Sequence, residues 1–532
     1  MSGGKKLNTR ASGIIAVAVM CSRILGLVRE VLFNSLFGTA SMGLFIIAFR
    51  IPNLLRDLFA EGALSTAFVT VFSQRIEREG EASAWVLASK MMTLVAVFMS
   101  AVSLLGVLFS SQLVGLLARG FGPSETVFTV LLTQIMYPFI LLVSLAALVM
   151  GMLNARNIFT APAMASSFFN IGSIVGGAAL GWLIDPEFGR EALLGLAFGT
   201  LLGGLLQLAT QFPSLWRAGF RFRPDFQWRD PGIRKILVLM VPSVIAASAV
   251  QVNVLINTGF AAHVGADAVT WLNSAFRLMQ LPIGAFGVAV ATITLPVIAR
   301  IAVDSDTSQF GPTLGKAMRL AVFLTLPAAV GLWFLAGPII GLIYEHGKFV
   351  ASDTLQTGSA LQYYAMGLVA YSCIKVLSPA FYAINRKWTP MLVSFGSVAL
   401  NVALNYWFMF HLQLGHIGLA LSTTICAVLN FGVLYVLMIR PAGTLESGRF
   451  FSTGLRCLLA TVPLGLVCHW GHMLGRELFH QPALWERAAV ILVLISAGAA
   501  VYLVACVLMR VDETTDAMGI LRRKLLRPRA GA

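Results

Sequence analysis

Residues 389–439 read TPMLVSFGSVALNVALNYWFMFHLQLGHIGLALSTTICAVLNFGVLYVLMI, 51 positions without a Lys, Arg, Asp or Glu. One crossing of a bilayer takes about 20 apolar residues, so this stretch holds two, centred near residues 399 and 427. Similar uncharged runs recur at 91–118, 126–155, 157–184, 192–216, 236–266, 320–344 and 488–509. Over all 532 residues, 58% are hydrophobic and 11% charged, with a mean hydropathy of +0.83. Soluble domains carry more than twice that share of charge. The chain therefore reads as an all-α polytopic membrane protein.

Division at charges, Gly/Pro clusters and polar turns predicts 14 spans, with the remaining centres near 22, 53, 103, 140, 171, 203, 246, 288, 331, 367, 462 and 499. An even count puts both termini on one side. That side collects 27 of the 38 basic residues, including Lys5, Lys6, Arg10, Arg217, Arg223 and the 522–529 tail. The positive-inside rule makes it cytoplasmic. Arg23 and Arg29 interrupt the first apolar run, so the N-terminus reads as a retained span and not a cleavable signal. The net charge of +15 is mostly this orientation signal. The basic tail suits anionic membrane lipids, and nucleic acid is not an expected partner. The six cysteines form no CxxC pair and read as small buried apolar residues. The seven histidines lack carboxylate or thiolate companions, so no metal is expected.

Ala48-Phe49-Arg50-Ile51 is echoed 227 positions later by Ala275-Phe276-Arg277-Leu278, and at that offset Leu54 matches Leu281 and Phe59 matches Phe286. A looser echo pairs Asn154 and Arg156, with Thr160 and Pro162 behind them, with Asn385-Arg386 and Thr389-Pro390. Six spans, a linker and six related spans follow. Because six is even, the two six-helix lobes share one topology and are related by a parallel pseudo-twofold, with a substrate site between them. The expected boundaries are a first lobe at 10–216, a basic cytoplasmic linker at 217–235 and a second lobe at 236–440. Two extra helices at 450–510 and a basic cytoplasmic tail at 511–532 complete the chain.

Arg23, Arg29, Arg50, Arg56, Arg277 and Lys375 lie inside spans, with Glu30, Asp57 and Glu61. A charge at that depth costs a few kcal/mol, about 3 on insertion scales, and usually faces a cavity. Arg23 lies 13 residues beyond Arg10, roughly 20 Å along a straight helix, too deep for a cytoplasmic flank. Arg23 and Arg29 point about 120° apart on such a helix; a hinge at Gly26 would bring them together. A bland alternative keeps Arg29–Glu30 and Arg56–Asp57 as neighbours that offset each other's charge. Converging guanidinium groups best fit a multivalent anion, since each offers a planar fork to phosphate oxygens. A lipid with a diphosphate head group also needs an apolar exit for its tail, which the two extra spans would supply. There is no Walker A loop, HExxH or GxSxG element. The reading is a transporter rather than an enzyme, with no catalytic residue and no cofactor.

Ser22-Arg23-Ile-Leu-Gly-Leu-Val-Arg29-Glu30, Pro52-Asn53-Leu54-Leu55-Arg56 and Phe59-Ala60-Glu61-Gly62-Ala63 resemble the MurJ (MviN) lipid II flippases. So do Phe276-Arg277-Leu278, Glu345-His-Gly347-Lys-Phe349 and Lys375 through Phe381-Tyr382-Ala383 to Thr389-Pro390. The resemblance covers about residues 10–510. It implies the multidrug/oligosaccharidyl-lipid/polysaccharide exporter fold in a bacterial inner membrane, and export of the undecaprenyl-diphosphate-linked peptidoglycan precursor by alternating access. By motif match, Arg23, Arg29, Arg56 and Arg277 fall on the family's cavity arginines. Ser22, Arg50, Glu61 and Lys375 are secondary cavity or gating positions. Gly43 and Arg386 stand where the family often has acids, so no alkali-ion ligand is expected. We expect a monomer working beside cell-wall synthesis proteins. The alternatives are a flippase for another polyprenyl-diphosphate glycan and a multidrug/cation antiporter of the same fold.

Overall fold

The computed structural model describes residues 9–58, 64–303, 308–478 and 483–514, and every regular element among them is helical. That is what hydrocarbon demands, because a helix satisfies its own backbone where no water can. The chain forms two compact units, one of residues 1–270 with 347–349 and one of 271–346 with 350–532. The first contains α1 (Thr9–Leu55), α2 (Ser65–Glu79), α3 (Glu81–Leu108), α4 (Ser110–Leu117), α5 (Pro123–Met136) and α6 (Phe139–Ala155). Then follow α7 (Thr160–Ile184), α8 (Leu193–Ala209), α9 (Phe212–Arg217) and α10 (Pro231–Val264), and α11 (Ala266–Pro282) runs on into the second unit. There follow α12 (Ala289–Ile301), α13 (Phe310–Tyr344), α14 (Ala351–Ala365), α15 (Leu368–Ala383), α16 (Trp388–Tyr406), α17 (Gly415–Ala442), α18 (Ser447–Leu478) and α19 (Leu484–Leu508).

Among the described residues, 11 helices are long and apolar enough to span a membrane, or 13 if two bent pairs count as one span each. That count takes residues 17–58 as one span. The predicted spans near residues 22 and 53 fall on the two helices that α1 joins across a kink, where Gly38 takes φ 76°, ψ 168°. The backbone is helical through Gly26, the expected hinge, and leaves the helix at Gly38.

The repeat offset recurs in the backbone. Gly38 and Gly265, 227 apart, both take positive φ. Widened π-type turns occupy residues 56–58 and Ile283–Val288, starting again 227 apart. Asn157 (φ 59°) and Asn385 (φ 58°) are both left-handed, and each lies two residues past a helix end. Their turns match bond for bond: Ile158 N–H donates to Leu153 O, and Arg386 N–H to Phe381 O. The structural counterpart of Asn385 is thus Asn157, three residues beyond the Asn154 suggested by the sequence. Small polar side chains tolerate the left-handed region best, so the turn selects Asn at that position.

In the first unit α7 packs along α1 and α8. The α7–α8 contact is a seam of glycines: a Cβ at Gly199 would lie 2.2 Å from Gly177 N, and one at Gly195 2.2 Å from Gly181 N. Lipid gives little hydrophobic drive for helix pairing, so small residues and close backbones supply it. A core of Phe68, Phe72, Leu87, Met91 and Met152 joins α2, α3 and α6. In the second unit α13 is the hub, touching α12, α14, α15, α18 and α19. Leu314, Met318, Leu377, Phe381 and Met438 fill its core.

Candidate functional site

Each span arginine is set by what its helix packs against. Arg23 is exposed on α1, whereas Arg29, two turns on, is half-buried. The Arg29 guanidinium carbon lies 5.0 Å from the centroid of the Phe169 ring on α7, a cation over an electron-rich face. Phe169 is 5.6 Å from Phe139, which is 5.1 Å from Phe49. This aromatic run leads from Arg29 to the residue preceding Arg50, itself half-buried. Next to Phe169, the buried Asn170 donates through Nδ2 to the Ser22 carbonyl at 3.1 Å. Residues 169 and 170 therefore fix α1 on α7 at the level of Ser22, Gly26 and Arg29. Glu30 is 8% exposed.

Arg56 sits on the widened turn that follows α1. Its Nε and Nη2 donate to Asp57 Oδ1 at 3.1 and 2.9 Å. Asp57 Oδ2 accepts from Gln251 Nε2 of α10 at 3.1 Å and from Asn53 Nδ2 at 3.4 Å. Asp57 thus joins α1 to α10 as well as offsetting Arg56. The pairing was readable from adjacency in the sequence; the Gln251 link, 194 residues away, was not.

In the second unit, Arg277 is half-buried on α11 and Lys375 is exposed on α15. Phe276, beside Arg277, packs edge-to-face on Tyr364 at 5.4 Å. Arg386 is exposed in the turn after α15. Glu61 lies outside the described residues. The structure thus ties Ser22 and Arg29 to α7, and Arg56 to Asp57 and α10. Sequence reasoning missed Phe169, Asn170 and Gln251; the signal available was a polar Asn or Gln inside an otherwise apolar run.

Outside the spans, Asp230 caps α10 and gathers three donors: Gly232 N at 2.8 Å, Arg75 Nη1 at 2.8 Å and Lys90 Nζ at 3.2 Å. Burial pushes its carboxyl up, but the Arg75, Gly232 and Lys90 hydrogen bonds outweigh this and hold it below the usual carboxylate range.

The chain is similar to known proteins. The family model described as "Lipid II flippase MurJ" matches residues 33–482. A Vibrio cholerae protein named probable lipid II flippase MurJ is 35% identical over 435 residues, spanning 80% of this chain and 82% of that protein. A Burkholderia cenocepacia protein named lipid II flippase MurJ is 34% identical over 472 residues, spanning 87% and 89%. A solved structure titled "Lipid II flippase MurJ, inward closed conformation" superposes with a TM-score of 0.74 at 26% identity, covering 96% of this chain and 99% of that one.

Proposed function

The chain belongs to the MurJ family of lipid II flippases, and from that premise we propose that it moves lipid II from the inner to the outer leaflet by alternating access. The observation that carries this reading is the set of arginines kept in apolar helices, with Arg29 braced on an aromatic ring and Arg56 on the widened turn. Fixed cations in a low-dielectric setting suit a diphosphate, whose oxygens accept several charge-assisted bonds at once.

In this mechanism Arg23, Arg29, Arg56 and Arg277 bind the diphosphate in the inward-facing state. Ser22, Arg50, Glu61 and Lys375 line or gate the path. The prenyl tail stays in the bilayer along α18 and α19. Rocking of two six-helix lobes then exposes the head group on the far side, with both termini cytoplasmic. Substrate shifts the equilibrium only through unequal affinity for the two states. Membrane potential acts on any charge that moves through the field, at about 2.3 kcal/mol per charge per 100 mV. The test is single replacement of each of the four arginines by Ala in cells that depend on this protein. Loss of precursor export and growth is expected; normal growth for all four variants removes the model.

A further inference from the structure

Arg56 and Asp57 are adjacent in sequence, and adjacent side chains on a regular helix do not face one another. They meet here on a widened turn, a device frequent at functional sites. The contact is also one-sided. Both guanidinium donors converge on Oδ1 at 3.1 and 2.9 Å, while Oδ2 serves Gln251 and Asn53. The strongest arrangement for arginine places two donors on two different oxygens, and a phosphate could offer that where Asp57 does not. The two side chains are 22% and 24% exposed, so the pair is partly solvated and open to exchange.

We propose that Asp57 is an internal counter-ion that holds the Arg56 fork until the substrate's diphosphate displaces it. This rests on the reading that Arg56 binds the diphosphate. A carboxylate with one negative charge competes well against monoanions and poorly against a diphosphate, so Asp57 selects for multivalent head groups. Displacement also disturbs the Asp57–Gln251 link from the end of α1 to α10, so binding at Arg56 reaches a second span. When the head group leaves, Asp57 closes again on Arg56 and helps release it. Asp57 acts through Arg56 and is a specificity-setting residue, not a ligand.

The experiment uses the full chain in nanodiscs, with a short-chain polyprenyl diphosphate and inorganic pyrophosphate as probes. Asp57→Asn keeps the shape and removes the charge; binding is expected to tighten by up to about fivefold, the scale of one partly exposed ion pair. A merely structural role predicts weaker binding. Arg56→Ala is expected to weaken binding, and adding Asp57→Asn to it should change nothing further. Asp57→Ser also removes the charge and should tighten binding likewise; it carries the test if Asp57→Asn fails to fold. Unchanged or weaker binding in Asp57→Asn, or in Asp57→Ser where that variant stands in, overturns the proposal. So does equal tightening in the Arg56→Ala background, which would mark a general field effect. If Arg56→Ala weakens binding while Asp57→Asn does not tighten it, the counter-ion falls and the diphosphate site stands. If Arg56→Ala has no effect, the assignment of Arg56 falls and the counter-ion with it.

Discussion

At Gly43, where the family often carries an acid, a Cβ would lie 2.0 Å from the Ala266 carbonyl oxygen and 2.5 Å from its carbon. Those are backbone atoms, which cannot rotate away. The glycine lets α1 lie against the start of α11, and neighbouring bonds complete the contact: Thr39 Oγ1 donates to Asp267 Oδ1 at 2.5 Å and Thr270 Oγ1 to Thr39 O at 2.7 Å. The acid at this contact therefore comes from α11. Gly43→Ala is expected to destabilise the protein by about 1–3 kcal/mol, the usual cost of overpacking, seen as a lower thermal midpoint in detergent. Gly26→Ala is the contrast. Its Cβ would sit 3.7 Å from Asn170 Nδ2, an ordinary contact, and Ala favours helix over Gly by about 1 kcal/mol. With the helical break at Gly38 and not Gly26, that variant should keep both its thermal midpoint and its export. The sequence showed both glycines but not what faces them. Gly43's neighbour is 223 residues away in the chain, and no periodicity reports such a contact.

Two ion clusters tie elements together at positions that composition reads as orientation signals. Arg75 and Lys90, from α2 and α3, hold Asp230 at the start of α10, and Trp85 of α3 packs between Phe72 and Phe220 at 5.3 and 5.4 Å. Because the folded-state pKa of Asp230 is lowered, its contribution is complete above the unfolded carboxylate's value near about 4 and is lost as pH falls through the folded value. Glu446 behaves likewise: the Arg319 hydrogen bond, then the Arg319 and Arg449 charges, hold it low against the opposing effect of burial. Thermal midpoints measured from pH 6 down to 3 should fall less steeply for Asp230→Asn than for the parent. Arg319 is the sharper case. It is 8% exposed within α13, and it bonds Glu446 Oε2 at 2.7 Å and Glu513 Oε1 at 2.8 Å. One side chain thus fastens the α17–α18 connection and the residues after α19 to the hub helix. Arg319→Met would leave Glu513 buried without its partner, a loss of about 3 kcal/mol or more, so it should lower the thermal midpoint more than Glu446→Gln does. Counting charges put Arg319 on the basic side but could not show it buried, since its acids lie 127 and 194 residues away.

Across the whole chain, helix content and membrane class were legible because hydropathy is a local property, and so were most of the spans. The breaks themselves were not: Gly38 kinks α1 and Gly265 separates α10 from α11, and neither shows in hydropathy. The 227 offset was faint in residue identity; positive-φ residues and widened turns recur at 227–228. Charge does not follow that symmetry. At the offset of 227, Arg50 corresponds to Arg277, but Arg56 corresponds to Ile283 and Asp57 to Gly284. The ion pair on the first widened turn has an apolar counterpart on the second. The proposed mechanism separates the two arginines at equivalent positions: Arg277 is a proposed contact to the diphosphate, and Arg50, next to the aromatic run, a proposed path residue. Arg277→Ala is therefore expected to abolish precursor export in dependent cells, while Arg50→Ala lowers it only in part. Equal loss in both would mean that the two positions do equivalent work.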